Sequence, residues 1–298
     1  MDSRFQNPKT FGQILDHTFS ISRAHFKNLF LLLLIFIGPI VLLSGFMMLL
    51  QGDPLFQRNI ETKEWFVEFF YELEQGMVLL VPDTFWVMSV LLNILLTPMA
   101  IASILLVVNH IRKGESYEIG NVIKQAFKRY GPMLGSSILF GLLMAAIYFA
   151  FAFVLFGLAF SLFATDNVGG GLLVLLLIPV FIVVILLLVT RFSFYIGSVV
   201  FKEGTPGFSR SWKLTRKRTW ATLGMYLILT VIIFLINAGL QLTVGLILGN
   251  GVIGYIVINL LLLIGTIILT VGYAVMYFDL KLRNDPGDFQ DMIDSYES

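Results

Sequence analysis

Charged side chains are scarce in this chain. Only 13% of its 298 residues are Asp, Glu, Lys or Arg, whereas an ordinary soluble domain has about 25%. Hydrophobic residues make up 57% of the chain, and the mean hydropathy is +0.88. This composition excludes an ordinary soluble domain and predicts an all-α integral membrane protein.

Cysteine is absent, which excludes a disulfide framework, a thiolate metal site and a cysteine nucleophile. The net charge of +1 argues against a generally basic, nucleic-acid-binding protein. None of the common metalloprotease, hydrolase, P-loop or dinucleotide-binding motifs occurs, and single histidines such as His17, His25 and His110 are usually structural. We therefore expect no catalytic residue, metal or cofactor.

Long apolar runs dominate the rest of the sequence. A helix needs about 20 apolar residues to cross a bilayer, because its backbone polar groups must be satisfied within the segment. Six stretches meet this length: Leu29–Leu50, Phe85–Ile111, Met133–Phe163, Leu172–Phe201, Leu223–Leu248 and Val252–Leu280. The turn residues in TDNVGGG and GNG predict tight hairpins between the third and fourth and between the fifth and sixth spans.

Lys and Arg lie mainly before the first span, in the second and fourth inter-span loops and after the sixth span. Short cytoplasmic loops retain such cations, so both termini are predicted to be cytoplasmic, in a multi-pass protein of the cell membrane. The tail 285–298 is then an acidic cytoplasmic tail, and loop 51–83, with its glutamate stripe, lies outside. That stripe is a solvated face or a site for a cationic peptide or a metal ion.

The sequence predicts an amphipathic helix before each of the first, third and fifth spans. Small residues at matching positions, Thr18, Ala126 and Ser211, would allow close backbone approach. The pattern predicts three repeats of interfacial helix plus helical hairpin, at 1–115, 116–203 and 204–284, in one pseudo-threefold membrane domain. Seven residues of these segments are candidates for the lipid interface: Phe19, Phe127, Phe208, Trp212, Arg216, Arg218 and Trp220. These helices either only anchor the next span or bind a specific lipid or partner.

Arg191 is the one cation well inside a predicted span. It lies about 11 residues before Lys202, which places it about 16 Å into a continuous helix, and a buried arginine at that depth needs a polar partner. The candidate intramembrane polar neighbours are Asn93, Asn237, Gln241, Asn259 and Asp279. The group is either structural glue between helices or a polar pathway or headgroup site.

Three stretches carry a family resemblance: FGQILDHTFSISRAHFKNLF near the start, EGTPGFSRSWKLTRKRTWATLG before the fifth span, and YFDLKLRNDPGDF after the sixth. They resemble the membrane-domain family of glycerophosphoryl diester phosphodiesterases, of bacteria and archaea. Some members are fused to a catalytic domain and many stand alone. The resemblance implies a stand-alone member here, because no soluble stretch could hold a barrel of about 250 residues.

Two functions remain open. The first is a non-catalytic membrane scaffold or accessory subunit of the cell envelope that works through membrane lipids and partner subunits, without nucleic acid. The second is a permease or lipid-translocating component with a polar path around Arg191. The first predicts a dry, packed bundle, and the second predicts a hydrated cavity that reaches Arg191.

Overall fold

The computed structural model describes residues 5–56, 84–165, 168–249 and 251–284. These residues form ten helices, which are α1 (Phe11–Ala24), α2 (Phe26–Gln51), α3 (Thr84–Lys113), α4 (Ile119–Phe127), α5 (Tyr130–Thr165), α6 (Val168–Phe192), α7 (Tyr195–Val200), α8 (Phe208–Thr215), α9 (Thr219–Leu248) and α10 (Val252–Asn284). The predicted all-α fold is confirmed. Most of the acidic loop (57–83) and the tail 285–298 lie outside the described residues, so the interpretations placed on them stay predictions.

Six segments are long and apolar enough to cross a membrane, as predicted: Phe26–Gln51, Val87–Lys113, Tyr130–Leu158, Leu177–Val200, Thr219–Leu248 and Val252–Asn284. The chain is therefore compatible with a multi-pass membrane protein. The fourth segment differs from the prediction of one continuous helix. It is interrupted by a turn at Ser193 and Phe194, after which the short helix α7 begins.

The long helices contact one another in a closed order. Each of α2, α3, α5, α6 and α9 contacts the next, and α10 returns to α2. The most buried positions lie on α2, α3 and α10, whereas α5 exposes large apolar side chains along much of its length. Since all of these exposed residues are apolar, this surface is suited to a hydrocarbon solvent.

A short helix precedes the first, third and fifth spans. Each packs on the span that ends the preceding hairpin in this closed order, and for the first short helix that is the last hairpin of the chain. Helix α1 packs on α10, α4 on α3, and α8 on α6. The small residues predicted to allow close approach are all buried: Thr18, Ala126 and Ser211 are 0%, 1% and 0% exposed. At Gly272 a Cβ would lie 3.4 Å from the Thr18 methyl group, which shows how closely α1 approaches α10.

The end of the bundle that carries these short helices is called the basic end, because Arg23 on α1, Lys124 on α4, Lys213 on α8 and Lys281 on α10 all lie there. Hairpin connectivity brings the ends of α3, α7 and α10 to the same side. Here α10 is almost fully buried from Thr270 to Leu280, so its last turns form the centre on which the other elements pack.

Aromatic side chains fill this centre. Phe194 and Tyr277 are both 0% exposed, with ring centroids 6.1 Å apart. At Gly197 a Cβ would lie 2.7 Å from a carbon of the Tyr277 ring, and the Gly197 N–H donates to the Tyr273 hydroxyl at 3.1 Å. The absence of a side chain at Gly197 therefore lets α7 lie directly against α10.

Candidate functional site

The basic end contains the polar side chains that the sequence singled out, together with several that it did not. The break between α6 and α7 organises one part of it. Ser211 on α8 donates its hydroxyl to the carbonyl oxygen of Arg191 at 2.6 Å and accepts the N–H of Phe194 at 3.1 Å. Thus α8 satisfies backbone groups that the end of α6 would otherwise leave without a partner.

Arg191 lies in the last turn of α6, which ends one residue later. The predicted helix is therefore not continuous, although the candidate span runs on to Val200, and Arg191 contacts the short helix α8. Its guanidinium carbon lies 4.2 Å from the Trp212 ring centroid, and its Nε donates to the Thr219 hydroxyl at 3.4 Å. A cation over an indole ring is an attractive contact, so Arg191 helps to hold α8 against α6 and α9.

The in-span amides do not gather around Arg191. Asn93 is exposed and donates to the Ser89 carbonyl at 2.9 Å, and Asn259 donates to the Tyr255 carbonyl at 2.8 Å. Gln241 is exposed. Among the described residues the Asn237 Oδ1 has no hydrogen-bond partner, and it faces Gly265, where a Cβ would lie 3.0 Å away. The predicted neighbours of Arg191 are therefore separate, mostly local features.

Asp279 likewise pairs elsewhere. Its Oδ1 accepts the backbone N–H of Lys9 at 2.8 Å, and its Oδ2 accepts Nε of Arg283 at 2.8 Å. Arg283 also donates to the Lys9 carbonyl at 2.7 Å. These three bonds fasten the segment before α1 to the end of α10. The spacing of Asp279 and Arg283, four residues apart on one helix, was the sequence signal for this pair.

A second ionic group was missed by the sequence reasoning. Glu203, in the loop after α7, accepts Nε of Arg210 at 2.8 Å and lies 2.7 Å from Nζ of Lys281. Burial alone would raise the pKa of Glu203, but hydrogen bonds from Lys281 and Arg210, with the charge of Lys281, hold that pKa below its usual value. The carboxylate thus joins the loop, α8 and α10.

The histidines near the first hairpin have polar partners. Nδ1 of His25 lies 3.0 Å from the Tyr117 hydroxyl, which also accepts Nδ2 of Asn28 at 3.2 Å. Burial lowers the pKa of His25. His110 pairs with Glu115 at 2.8 Å. Within the part of the chain that is described, no group of three or more His, Cys, Asp or Glu residues could hold a metal ion.

Five of the seven lipid-interface candidates lie at the surface: Phe19, Phe127, Arg216, Arg218 and Trp220. Trp220 is 67% exposed and Phe127 is 54% exposed. Phe208 and Trp212 instead pack into the protein, since their ring centroids lie 5.6 Å and 5.3 Å from that of Phe192. The amphipathic pattern identified their apolar character, and the neighbouring helix leaves both rings half-buried.

A small open cleft, with a volume of about 70 Å³, lies between the start of α1, the start of α9 and the end of α10. It is amphipathic, since apolar side chains lie beside Lys9, Thr10, Arg218, Thr222 and Asp279. The apolar part of its lining comes from Phe11, Ile14, Ala221, Met225, Met276 and Leu280. Arg191 does not line it.

No family model, curated protein or solved structure matches the chain. The function must therefore be inferred from the chemistry of the residues at the basic end. It combines a packed bundle, a basic surface beside an exposed tryptophan, and a cleft with a cationic and an apolar part. Such a combination can bind and orient amphipathic molecules at a membrane surface.

Proposed function

We propose that this chain is a non-catalytic polytopic membrane protein, a lipid-interacting scaffold or accessory subunit of a bacterial or archaeal cell envelope. Its ligands are membrane lipids, and its partners are other membrane-protein subunits. The proposal also places it in the cell membrane with both termini in the cytoplasm, because the basic end carries the cations that short cytoplasmic loops retain.

One observation carries this proposal: a continuous cationic surface stands next to an exposed tryptophan at the start of a membrane span. Arg216, Lys217 and Arg218 are all exposed in the turn between α8 and α9, and Trp220 follows in the first turn of α9. Tryptophan favours the headgroup level of a bilayer. Each cation near an anionic lipid surface contributes on the order of 1 kcal/mol of attraction.

The three-repeat architecture belongs to the same proposal. Support comes from the order of short and long helices, from the common way in which α1, α4 and α8 pack on the preceding hairpin, and from the buried small residues at matching positions. In this view the three units are one membrane domain of the phosphodiesterase membrane-domain type, without the enzyme. The unit boundaries stay at residues 115 and 203.

The permease alternative had Arg191 as its central residue. The Arg191 side chain lies over Trp212 rather than in the cleft, and the in-span amides are dispersed. These contacts favour a structural role for Arg191, in which it holds neighbouring helices together. They therefore favour the scaffold function over the transport function.

Purification of the full chain in nanodiscs formed from its own membrane, followed by mass spectrometry of the retained lipids, tests the proposal. We expect enrichment of acidic phospholipids over the surrounding membrane, and a clear fall in that enrichment for a variant with Arg216→Gln, Lys217→Gln and Arg218→Gln. Arg191→Leu is the control, because it should lower stability without changing the lipid class. Retention of bulk lipid in unchanged proportions by the wild type would contradict the proposal.

A further inference from the structure

We infer that the cleft between α1, α9 and α10 binds the phosphate and adjoining glycerol of one acidic phospholipid. This rests on the proposed lipid-interacting function and assigns it a specific site. The acyl chains remain in the bilayer, and the site takes the headgroup region only.

The cleft lies at the depth where headgroups are found. One wall is the start of α9, where the candidate span begins at Thr219, and the other is the end of α10, whose candidate span ends at Asn284. The third wall is α1, an amphipathic helix that exposes Phe11 by 42% and Phe19 by 37%. A cleft formed by a span start, a span end and an interfacial helix faces the boundary between headgroups and hydrocarbon.

The charges that line the cleft favour an anion. Lys9 and Arg218 line it against one acid, Asp279, and Arg218 is exposed at its rim. Asp279 is 5% exposed, and both of its oxygens already accept hydrogen bonds, from the Lys9 N–H and from Arg283. Among the described residues Arg283 therefore offsets the one acid of the lining, and the described lining carries net positive charge.

The same contacts distinguish acidic from zwitterionic headgroups. An ethanolamine or choline group needs a carboxylate or an aromatic cage for its cation. Among the described lining residues, the one carboxylate is occupied and Phe11 is the one aromatic residue. A phosphate without a headgroup amine, as in phosphatidylglycerol, pairs with the exposed Arg218 and brings no cation that would lack a partner.

The apolar part of the lining suits a lipid better than a free phosphate ion. Phe11 and Ala221 lie beside the polar residues, and they offer accessible apolar surface, since Phe11 is 42% exposed and Ala221 is half-buried. The Phe11 ring also covers Gly224, where a Cβ would lie 3.6 Å from it. An inorganic phosphate would leave these surfaces uncovered, whereas the glycerol and first methylenes of a lipid would cover them.

Native mass spectrometry of the full chain with phosphatidylglycerol and phosphatidylcholine tests the site. Arg218→Gln should weaken phosphatidylglycerol binding about tenfold, as expected for loss of a charge-assisted hydrogen bond. The matched control is Lys124→Gln on α4, an exposed cation of the basic end that does not line the cleft, and it should change binding less than about twofold. Ala221→Leu, which fills the cleft without changing its charge, should also weaken binding while thermal unfolding shows that it is folded.

Each outcome is decisive. Equal losses for Arg218→Gln and Lys124→Gln would overturn the cleft and leave a diffuse basic surface, with the proposed function intact. Full competition by soluble glycerol phosphate, with no preference for the lipid, would overturn a lipid source for the phosphate. If the wild type prefers neither lipid, the cleft and the proposed function both fail.

Discussion

The hydroxyl of Ser211 lies 2.6 Å from the carbonyl oxygen of Arg191 and 3.1 Å from the N–H of Phe194, on the two sides of the break that ends α6. The Ser211 side chain of α8 therefore makes hydrogen bonds with the Arg191 carbonyl and the Phe194 N–H. In a continuous fourth helix these two groups would bond to the backbone of the helix itself. Because α6 ends at this break, Arg191 lies in the last turn of the helix and contacts α8.

Replacement of Ser211 by alanine should destabilise the fold by about 1–3 kcal/mol. It removes the acceptor of the buried Phe194 N–H, and it leaves the Arg191 carbonyl with the longer bond from the Thr215 hydroxyl at 3.4 Å. Thermal unfolding in detergent measures the loss. Ser209→Ala, at an exposed position of the same helix, is the matched control and should have little effect. Equal stability of the two variants would show that water or another group replaces the hydroxyl.

Gly197→Ala should also destabilise the protein, by about 1–3 kcal/mol, because the added Cβ would lie 2.7 Å from the buried Tyr277 ring. Gly141→Ala on α5 is a suitable comparison, since its Cβ would meet nothing within 4 Å, and alanine favours helix over glycine. The two unfolding temperatures should move in opposite directions, and a neutral Gly197→Ala would contradict the close packing of α7 on α10.

The Arg191 and Trp212 side chains should be energetically coupled. Arg191→Leu and Trp212→Leu each remove the contact, so a double-mutant cycle isolates it from the packing of Trp212 on Phe192. The expected coupling is about 0.5–2 kcal/mol, the range for a cation over an aromatic ring. Additive effects of the two substitutions would mean that Arg191 acts through another group.

The stability of the protein should depend on the charge of Glu203. The folded state holds its pKa below the ordinary value of 4.5, so the carboxylate contributes stability above that value and loses it as pH falls through the lowered pKa. Glu203→Gln should lower stability at neutral pH by about 1–3 kcal/mol and flatten the dependence on acidic pH.

Thermal unfolding from neutral pH down to about pH 3 follows this dependence, since that range covers the titration of carboxylates. The control is Glu115→Gln, whose side chain is 43% exposed in its pairs with His110 and Lys113. An exposed pair contributes less than about 1 kcal/mol, so this variant should keep the wild-type profile. Parallel profiles for the wild type and Glu203→Gln would contradict the assignment.

Much of the secondary structure could be predicted from composition and periodicity. Six apolar segments, the amphipathic helices before three of them and the capping box at Thr10, whose N–H donates to the Gln13 side chain at 2.9 Å, are local properties of the chain. Helix α8 begins at Phe208, with Gly207 as its cap. Such end positions depend on loop geometry, which side-chain type does not determine.

The sequence by itself determined the class of the protein, since an apolar helix of this length needs no tertiary partner to satisfy its backbone in a membrane. It also determined which faces of the short helices are apolar. The tertiary structure decided what those faces meet. Trp220 stays 67% exposed, whereas Arg191 lies over the Trp212 ring. It also brought Lys9, Arg218 and Asp279 to one cleft from positions far apart in the chain, because contacts between distant segments depend on how the hairpins pack.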